Sequence, residues 1–191
     1  SAASDVYKRQ IDDTEIRIND IHPMITCIES SSIEVKYRLE YQIQVPEKVV
    51  DHHRVQALKP LKICSDVSLK ANSQTIDFVT KINNHSCDHI VRVCFEDIYK
   101  AAENCSQDQF GTIIRQNVIK NQKSLKDGAT EYVLPIYAMQ RFVKLDHQKS
   151  IMAVLSKGPL EYEIENNQKI CLTLLRSCLL YTSDAADDSL R

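Results

Sequence analysis

From Ile33 to Val45 the chain alternates without a break. Ile33, Val35, Tyr37, Leu39, Tyr41, Ile43 and Val45 share one parity, and Glu34, Lys36, Arg38, Glu40, Gln42 and Gln44 share the other. Period two sends one row to a core and the other to water, whereas a helix would scatter both around its circumference. The stretch predicts a long, half-buried antiparallel strand, stopped by Pro46. Shorter strand-like runs follow at Val67 to Leu69, Thr75 to Ile82, Ile90 to Phe95, Arg141 to Leu145, Ile151 to Leu155, Leu160 to Glu165 and Ile170 to Leu175. Polar turn stretches separate them, notably NNHSCD, DHQKS, SKGP and ENNQK. No helical stripe intervenes to build crossovers, so the fold class is all-β, an antiparallel β-sandwich. With three glycines in the chain, the turns must rely on Asn, Asp and Ser. The least regular part, Glu96 to Val133, is expected to be a long loop with a short helical turn near Ile98 to Asn104.

The two ends do not follow this pattern. A DNA that encodes SAASDVYKRQ, Ser1 to Gln10, also encodes CLLYTSDAAD, Cys178 to Asp187, when its opposite strand is read one base out of register. The match extends to Asp188, and the DNA resembles the transposase adapter joined to fragment ends in sequencing libraries. Residues 1–10 and 178–191 are therefore expected to be adapter-derived tails, and fold reasoning sets them aside. What remains, residues 11–177, is read as one domain with no internal repeat and no linker.

Charge and cysteine usage narrow the classes further. The chain carries 24 Lys+Arg against 26 Asp+Glu, a net charge of −2. Nucleic acid and anionic membranes both reward clustered basic charge, and neither is expected as a partner. No run approaches the ~18 apolar residues of a membrane-spanning helix. Of seven cysteines, Cys178 lies in a tail; Cys27, Cys64, Cys87, Cys94, Cys105 and Cys171 are scattered and form no CxxC pair. Reduced thiols in a cytoplasmic protein are the expectation.

Candidate chemistry is sparse. NHSCDH puts His85, Cys87 and His89 within a short span, a spacing compatible with zinc, but in a tight turn with no fourth ligand evident. Asp51, His52 and His53 offer an acid–base pairing on a connection where histidines are ordinarily solvated. In GPLEYEIE, Glu161, Glu163 and Glu165 share a strand face, with neighbours ~7 Å apart, inside the range of glycosidase carboxylate pairs. The same row, alternating with Leu160, Tyr162 and Ile164, also describes the wet face of any strand. No nucleophile elbow, phosphate-cradling loop or HExxH is present.

Five stretches in order carry a resemblance. They are NNHSCDHIVRVCF (through Asn84, Asp88, His89, Arg92, Val93 and Phe95), SQDQFGTIIRQN, LPIYAMQRFVKLD, IMAVLSKGPLEYEIE and ICLTLLRS. From about Ser32 to Ser177 the chain resembles the C-terminal β domain of glycoside hydrolase family 38, the α-mannosidases, and especially its bacterial branch. Glu96 departs from the family's usual Pro after the Phe of the Asp-His strand. The resemblance implies a galactose-mutarotase-like β-sandwich from a bacterial, cytoplasmic enzyme that hydrolyses terminal α-D-mannosyl linkages with retention. It implies that the Asp nucleophile, the acid and the zinc ion belong to an N-terminal barrel that this fragment lacks, so that the fragment alone is inactive. No catalytic residue, metal ligand or cofactor is carried over; the implied partners are that barrel and a mannoside. Arg176, in LLRS, is the one candidate substrate contact, because a guanidinium makes forked hydrogen bonds to neighbouring hydroxyls. Its alternative is a strand-end Arg paired with an acid. Against the enzyme reading stands a free-standing carbohydrate-binding or structural β-sandwich. For that reading the missing Trp and the apolar-row placement of Tyr37 and Tyr41 leave few stacking aromatics.

Overall fold

The computed structural model describes residues 15–18, 21–50, 53–117, 136–147 and 150–177. Both expected tails, residues 1–10 and 178–191, and residues 118–133 of the irregular stretch lie outside the described residues. The chain divides into two compact units, whose described parts meet at Asp88 and His89. No helix among the described residues is long and apolar enough to cross a membrane.

The first unit is built on one antiparallel sheet. Strands β1 (Met24–Ser30) and β2 (Glu34–Pro46) are followed by a two-residue ribbon, β3 (Val49–Val50) and β4 (His53–Arg54), and then by β5 (Leu58–Lys70) and β6 (Ile76–Asn83). The sheet order is β1-β2-β5-β6. The alternation of β2 appears as expected: Tyr37, Tyr41 and Ile43 lie opposite Val67, Ile63 and Leu61, so the apolar row runs across strands. Ile43, Val45, Leu61 and Ile63 are buried at one end of that face. On the other face Arg38 clamps Asp66 through Nε and Nη2, at 2.7 and 2.9 Å. Strand β5 runs much longer than its Val67 to Leu69 signal. Pro60 and the polar Ser65, which stands in the inward row between Ile63 and Val67, interrupt the strand signal, yet Ser65 meets Thr80 hydroxyl to hydroxyl at 2.8 Å, a polar cross-strand pair.

The second unit is the sandwich. Strands β7 (His89–Glu96), β8 (Glu103–Gln107), β9 (Thr112–Gln116), β10 (Ile136–Ala138), β11 (Phe142–His147), β12 (Ser150–Leu155), β13 (Glu161–Glu165) and β14 (Lys169–Ser177) form two sheets, ordered β10-β13-β14-β7 and β12-β11-β8-β9. Val143 and Leu145 of β11, Tyr162 and Ile164 of β13, and Ile170 and Leu172 of β14 make its core with Ala101 and Met139. The alternation that buries Tyr162 and Ile164 leaves Glu161, Glu163 and Glu165 on the outer face.

Two expectations are corrected here. The stretch from Glu96 is not a loop with a helical turn: Ala101 N–H bonds the Asn167 carbonyl at 2.7 Å, and Glu103 onward is the β8–β9 hairpin. Its core-facing row is Asn104 and Ser106, 2% and 0% exposed, so a polar pair occupies positions where apolar periodicity was sought. The cysteines are not all reduced either. The β7–β14 register sets Cys94 directly opposite Cys171, and the two are joined as a disulfide across a sequence separation of 77. Cys27, Cys64, Cys87 and Cys105 are not disulfide-bonded.

The expectation that Asn and Asp replace glycine in the turns holds. The positive-φ residues among those described are Asn72, Asp88, Asn166 and Asn167. Asn and Asp tolerate the left-handed region because their short side chains bond locally. Asn166 and Asn167, both left-handed, with Gln168 N–H on the Glu165 carbonyl at 3.1 Å, form a type I′ turn that matches the strand twist of β13 and β14.

Inside the sandwich one hydroxyl links the two sheets. Tyr162, fully buried, donates to Asn104 Oδ1 at 2.6 Å and lies 3.2 Å from Ser106 Oγ. Arg115 donates to Ser106 at 2.7 Å and to the Tyr162 oxygen at 3.3 Å, with its guanidinium 5.0 Å from the Tyr137 ring centre. Asn104 passes its amide protons to Asn117 at 2.7 Å. Removing the hydroxyl strands a buried acceptor, which costs about 1–3 kcal/mol. Tyr162→Phe is therefore expected to lower the unfolding free energy by that amount in urea titration, and an unchanged midpoint would contradict the link.

Candidate functional site

The outer face of β13 gathers the ionisable side chains singled out from the sequence. Strand alternation alone points Glu161, Glu163 and Glu165 outward; the register then supplies their partners. Arg92 of β7 donates to Glu163 Oε2 at 2.5 Å, with both side chains largely covered, at 25% and 18% exposure. Glu161 Oε1 accepts from Thr173 Oγ1 at 2.7 Å and from Arg176 Nη2 at 2.8 Å.

A β-bulge makes the second pair possible. Thr173 and Arg176 would face opposite sides of a regular strand. The register shift between Thr173 and Leu175 inserts one residue and returns Arg176 to the Thr173 side, where both reach one carboxylate oxygen. Re-aiming a side chain is a common consequence of a bulge.

Environment splits the two carboxylates. Burial pushes Glu161 up, but the hydrogen bonds from Thr173 and Arg176 and the arginine charges outweigh it, and the group ends below the ordinary glutamate range. For Glu163 burial wins over Arg92, with the neighbouring charges of Glu165 and Glu161 adding to it, and the group ends above that range. An acid and a base with separated pKa values are what acid–base chemistry requires. Here, though, each carboxylate is engaged by a cation on its own sheet. A surface hollow lies among Gln140, Arg141, Ser156, Lys157, Gly158 and Leu160, and the row contributes none of its lining. The arrangement braces a sheet and binds no second group that the geometry reveals.

Other sequence candidates fall elsewhere. His85, Cys87 and His89 do not converge; among the described residues the potential metal-ligand set is Cys94, Glu165 and Cys171. NHSCDH acts as a joint. Asn84 makes a local side-chain turn around Ser86, donating to its carbonyl at 2.8 Å and accepting from its N–H at 3.2 Å. Asp88 accepts Val49 N–H on its carboxylate at 3.1 Å and Arg54 Nη1 on its carbonyl at 2.6 Å. Of Asp51, His52 and His53, the first two lie outside the described residues and His53 is exposed on β4. Arg176, 40% exposed at its side chain, sits near the end of β14 and pairs with Glu161. Sequence reasoning missed the Arg92–Glu163 pair and the Cys94–Cys171 pair, since both depend on which strands are neighbours.

The chain matches the glycosyl hydrolases family 38 C-terminal domain over residues 1–186. It is similar in structure to an alpha-mannosidase from Enterococcus faecalis V583, with a TM-score of 0.78 and 21% identity, covering 90% of this chain and 20% of that one. A protein in the glycosyl hydrolase family 38 from Enterococcus faecalis gives a TM-score of 0.71 at 21% identity, covering 84% and 19%. The chain thus spans about a fifth of the length of these solved relatives. No curated protein matches it.

The split between the two carboxylates has a measurable sign. Glu161, lowered on folding, contributes stability above its unfolded pKa that is lost as pH falls through its folded value. Glu163, raised on folding, costs stability at neutral pH, and that cost is relieved as pH falls from its folded value toward the unfolded one. A carboxyl-carbon NMR titration should find Glu163 titrating above Glu161, and Arg176→Ala should move Glu161 upward. The reverse order would contradict the assigned pairings.

Proposed function

Because the chain belongs to the family of glycosyl hydrolase family 38 C-terminal domains, we propose that it is the C-terminal β portion of a retaining α-mannosidase acting on terminal α-D-mannosyl linkages. The observation that carries this reading is the family match across nearly the whole chain, in a chain only about a fifth as long as its solved relatives. The nucleophile, the acid and the zinc ion of such an enzyme then belong to a part outside this chain. Among the described residues the one potential ligand set, Cys94, Glu165 and Cys171, holds a disulfide and, in that oxidised form, does not fit the catalytic zinc.

The first unit's surface supports the reading. Ile25, Tyr37, Leu69, Ile76 and Phe78 lie on the same face of the β1-β2-β5-β6 sheet as its buried end, yet are 45–61% exposed. Contiguous apolar surface of this kind marks a contact to another body, and the catalytic barrel is the body the proposal supplies. Arg176 is the residue of this chain assigned to the rim of the substrate site. Its side chain is 40% exposed, and it gives one Nη to Glu161 while a guanidinium carries further donors.

The purified chain is expected to show no turnover of aryl α-mannosides with or without added zinc; zinc-dependent turnover would contradict the division of labour. In an enzyme that contains this β portion, Arg176→Ala should raise KM about tenfold or more, the scale of a lost charged hydrogen bond, with kcat little changed. An unaltered KM would leave Arg176 as a strand-end ion pair only.

A further inference from the structure

The β7–β14 pair carries a group that the glycosidase reading does not use. Cys94 and Cys171 are opposite each other in register and bonded, with Cα atoms 4.1 Å apart. The type I′ turn after Glu165 folds β13 against β14, and the Glu165 carboxylate and both sulfurs all lie within 4.8 Å of one another. Glu165 differs from its two neighbours in the row. Glu161 and Glu163 are engaged by Thr173 and Arg176 and by Arg92. Lys169, opposite Glu165 in register, is drawn 3.4 Å from Glu96 instead, and no hydrogen bond or ion pair among the described residues holds the Glu165 carboxylate. The two cysteines differ in exposure: Cys94 is an exposed residue and Cys171 is fully buried.

We propose that Cys94, Cys171 and Glu165 form a redox-gated site for a thiophilic divalent cation, closed in the disulfide and open in the dithiol. Opening requires a dithiol reductant. One of its thiolates attacks the sulfur of Cys94, the exposed residue, breaking the Cys94–Cys171 bond and releasing the Cys171 thiolate. Its second thiol then displaces Cys94, leaving two protein thiols and the reductant as its own disulfide, with two electrons and two protons transferred. Only thiolates ligate metal. On binding, both thiols give up their protons to solvent, and two sulfurs and one carboxylate oxygen occupy three corners of a tetrahedron, with water at the fourth. Once the bond between them is broken, two cysteines paired on neighbouring strands can turn about their Cα–Cβ bonds to present both sulfurs to one ion with metal–sulfur bonds of ~2.3 Å. The soft donor pair selects zinc or cobalt over magnesium or calcium. The same two sulfurs cannot be disulfide and ligands at once, so oxidation expels the metal.

The test uses the full chain with Cys27, Cys64, Cys87, Cys105 and Cys178 replaced by Ser, reduced with a dithiol that is then removed without air, and titrated with Co2+. The expected result is a sulfur-to-cobalt charge-transfer band with intense visible bands, saturating at one ion per chain and displaced by Zn2+. The oxidised chain should show none of it. Cys94→Ser, at an exposed position that tolerates the change, should abolish the bands, and Glu165→Gln should weaken binding at least tenfold with unchanged far-UV circular dichroism. The proposal is overturned if the reduced chain gives no such bands, if the oxidised chain gives the same ones, or if they survive Cys94→Ser. Unchanged affinity in Glu165→Gln overturns the three-ligand assignment. Loss of β-sheet circular dichroism on reduction also overturns it, since the site needs β7 and β14 paired.

Discussion

The Tyr162 hydroxyl is the point on which the second unit turns. A phenol buried between two sheets costs free energy unless it is bonded, and its partners Asn104 and Ser106 come from the sheet it does not belong to. The requirement is mutual: Asn104 and Ser106 are buried polar groups on β8, and Tyr162 supplies the Asn104 carbonyl oxygen with its donor from across the sandwich. The bond therefore fixes which residues of the two sheets face each other, where an apolar core alone would tolerate a slip. A one-residue slip of β13 would bury the Glu161, Glu163 and Glu165 row in place of Tyr162 and Ile164. Arg115 completes the group by donating to Ser106 and Tyr162 while its charge rests over the Tyr137 ring. A buried network of this kind is favourable only when every member is satisfied.

Once Tyr162 points inward, the outer face follows. Glu161 and Glu163 find partners on β7 and β14, and the bulge after Thr173 is what lets Arg176 join Thr173 on Glu161. The value of these contacts differs with exposure. The Arg92–Glu163 pair is mostly covered, and removing either partner would leave a buried charge. The Arg176–Glu161 pair is more open to solvent and adds little to stability. A guanidinium that contributes little to folding is free to serve in recognition, which is compatible with the rim contact proposed for Arg176.

Legibility in the sequence followed chemistry residue by residue. Where the inward row is apolar, as with Ile33 to Val45 or Val143 and Leu145, alternation gave the strand and its face. Where the inward row is polar, as with Asn104 and Ser106 of β8, hydrophobic periodicity had nothing to register and a loop was read instead. Strand β5 was truncated because Pro60 and the inward-row Ser65 interrupt its pattern, although Ser65 is satisfied by Thr80. Turn chemistry was readable because Asn in the left-handed region is a local property, and Asn166 and Asn167 behaved accordingly. The Cys94–Cys171 bond and the Arg92–Glu163 pair were out of reach, since each needs the order of strands in a sheet; the alternative of a strand-end Arg176 paired with an acid holds, but that the acid is Glu161 depends on a bulge that no spacing announces. The motif in the Asp88 region was visible, but its role as a joint holding the ribbon at Val49 and Arg54 emerges only from the fold.

On the proposed function this chain has no chemistry of its own and takes its activity from a longer enzyme. Sequencing the source DNA outward past the codons for Ile11 and Ser177 tests that claim most directly. The account predicts an upstream reading frame that continues into an α/β barrel with a carboxylate nucleophile and zinc ligands. A start codon immediately before Ile11 together with a stop codon immediately after Ser177 would contradict it and leave a small free-standing β protein.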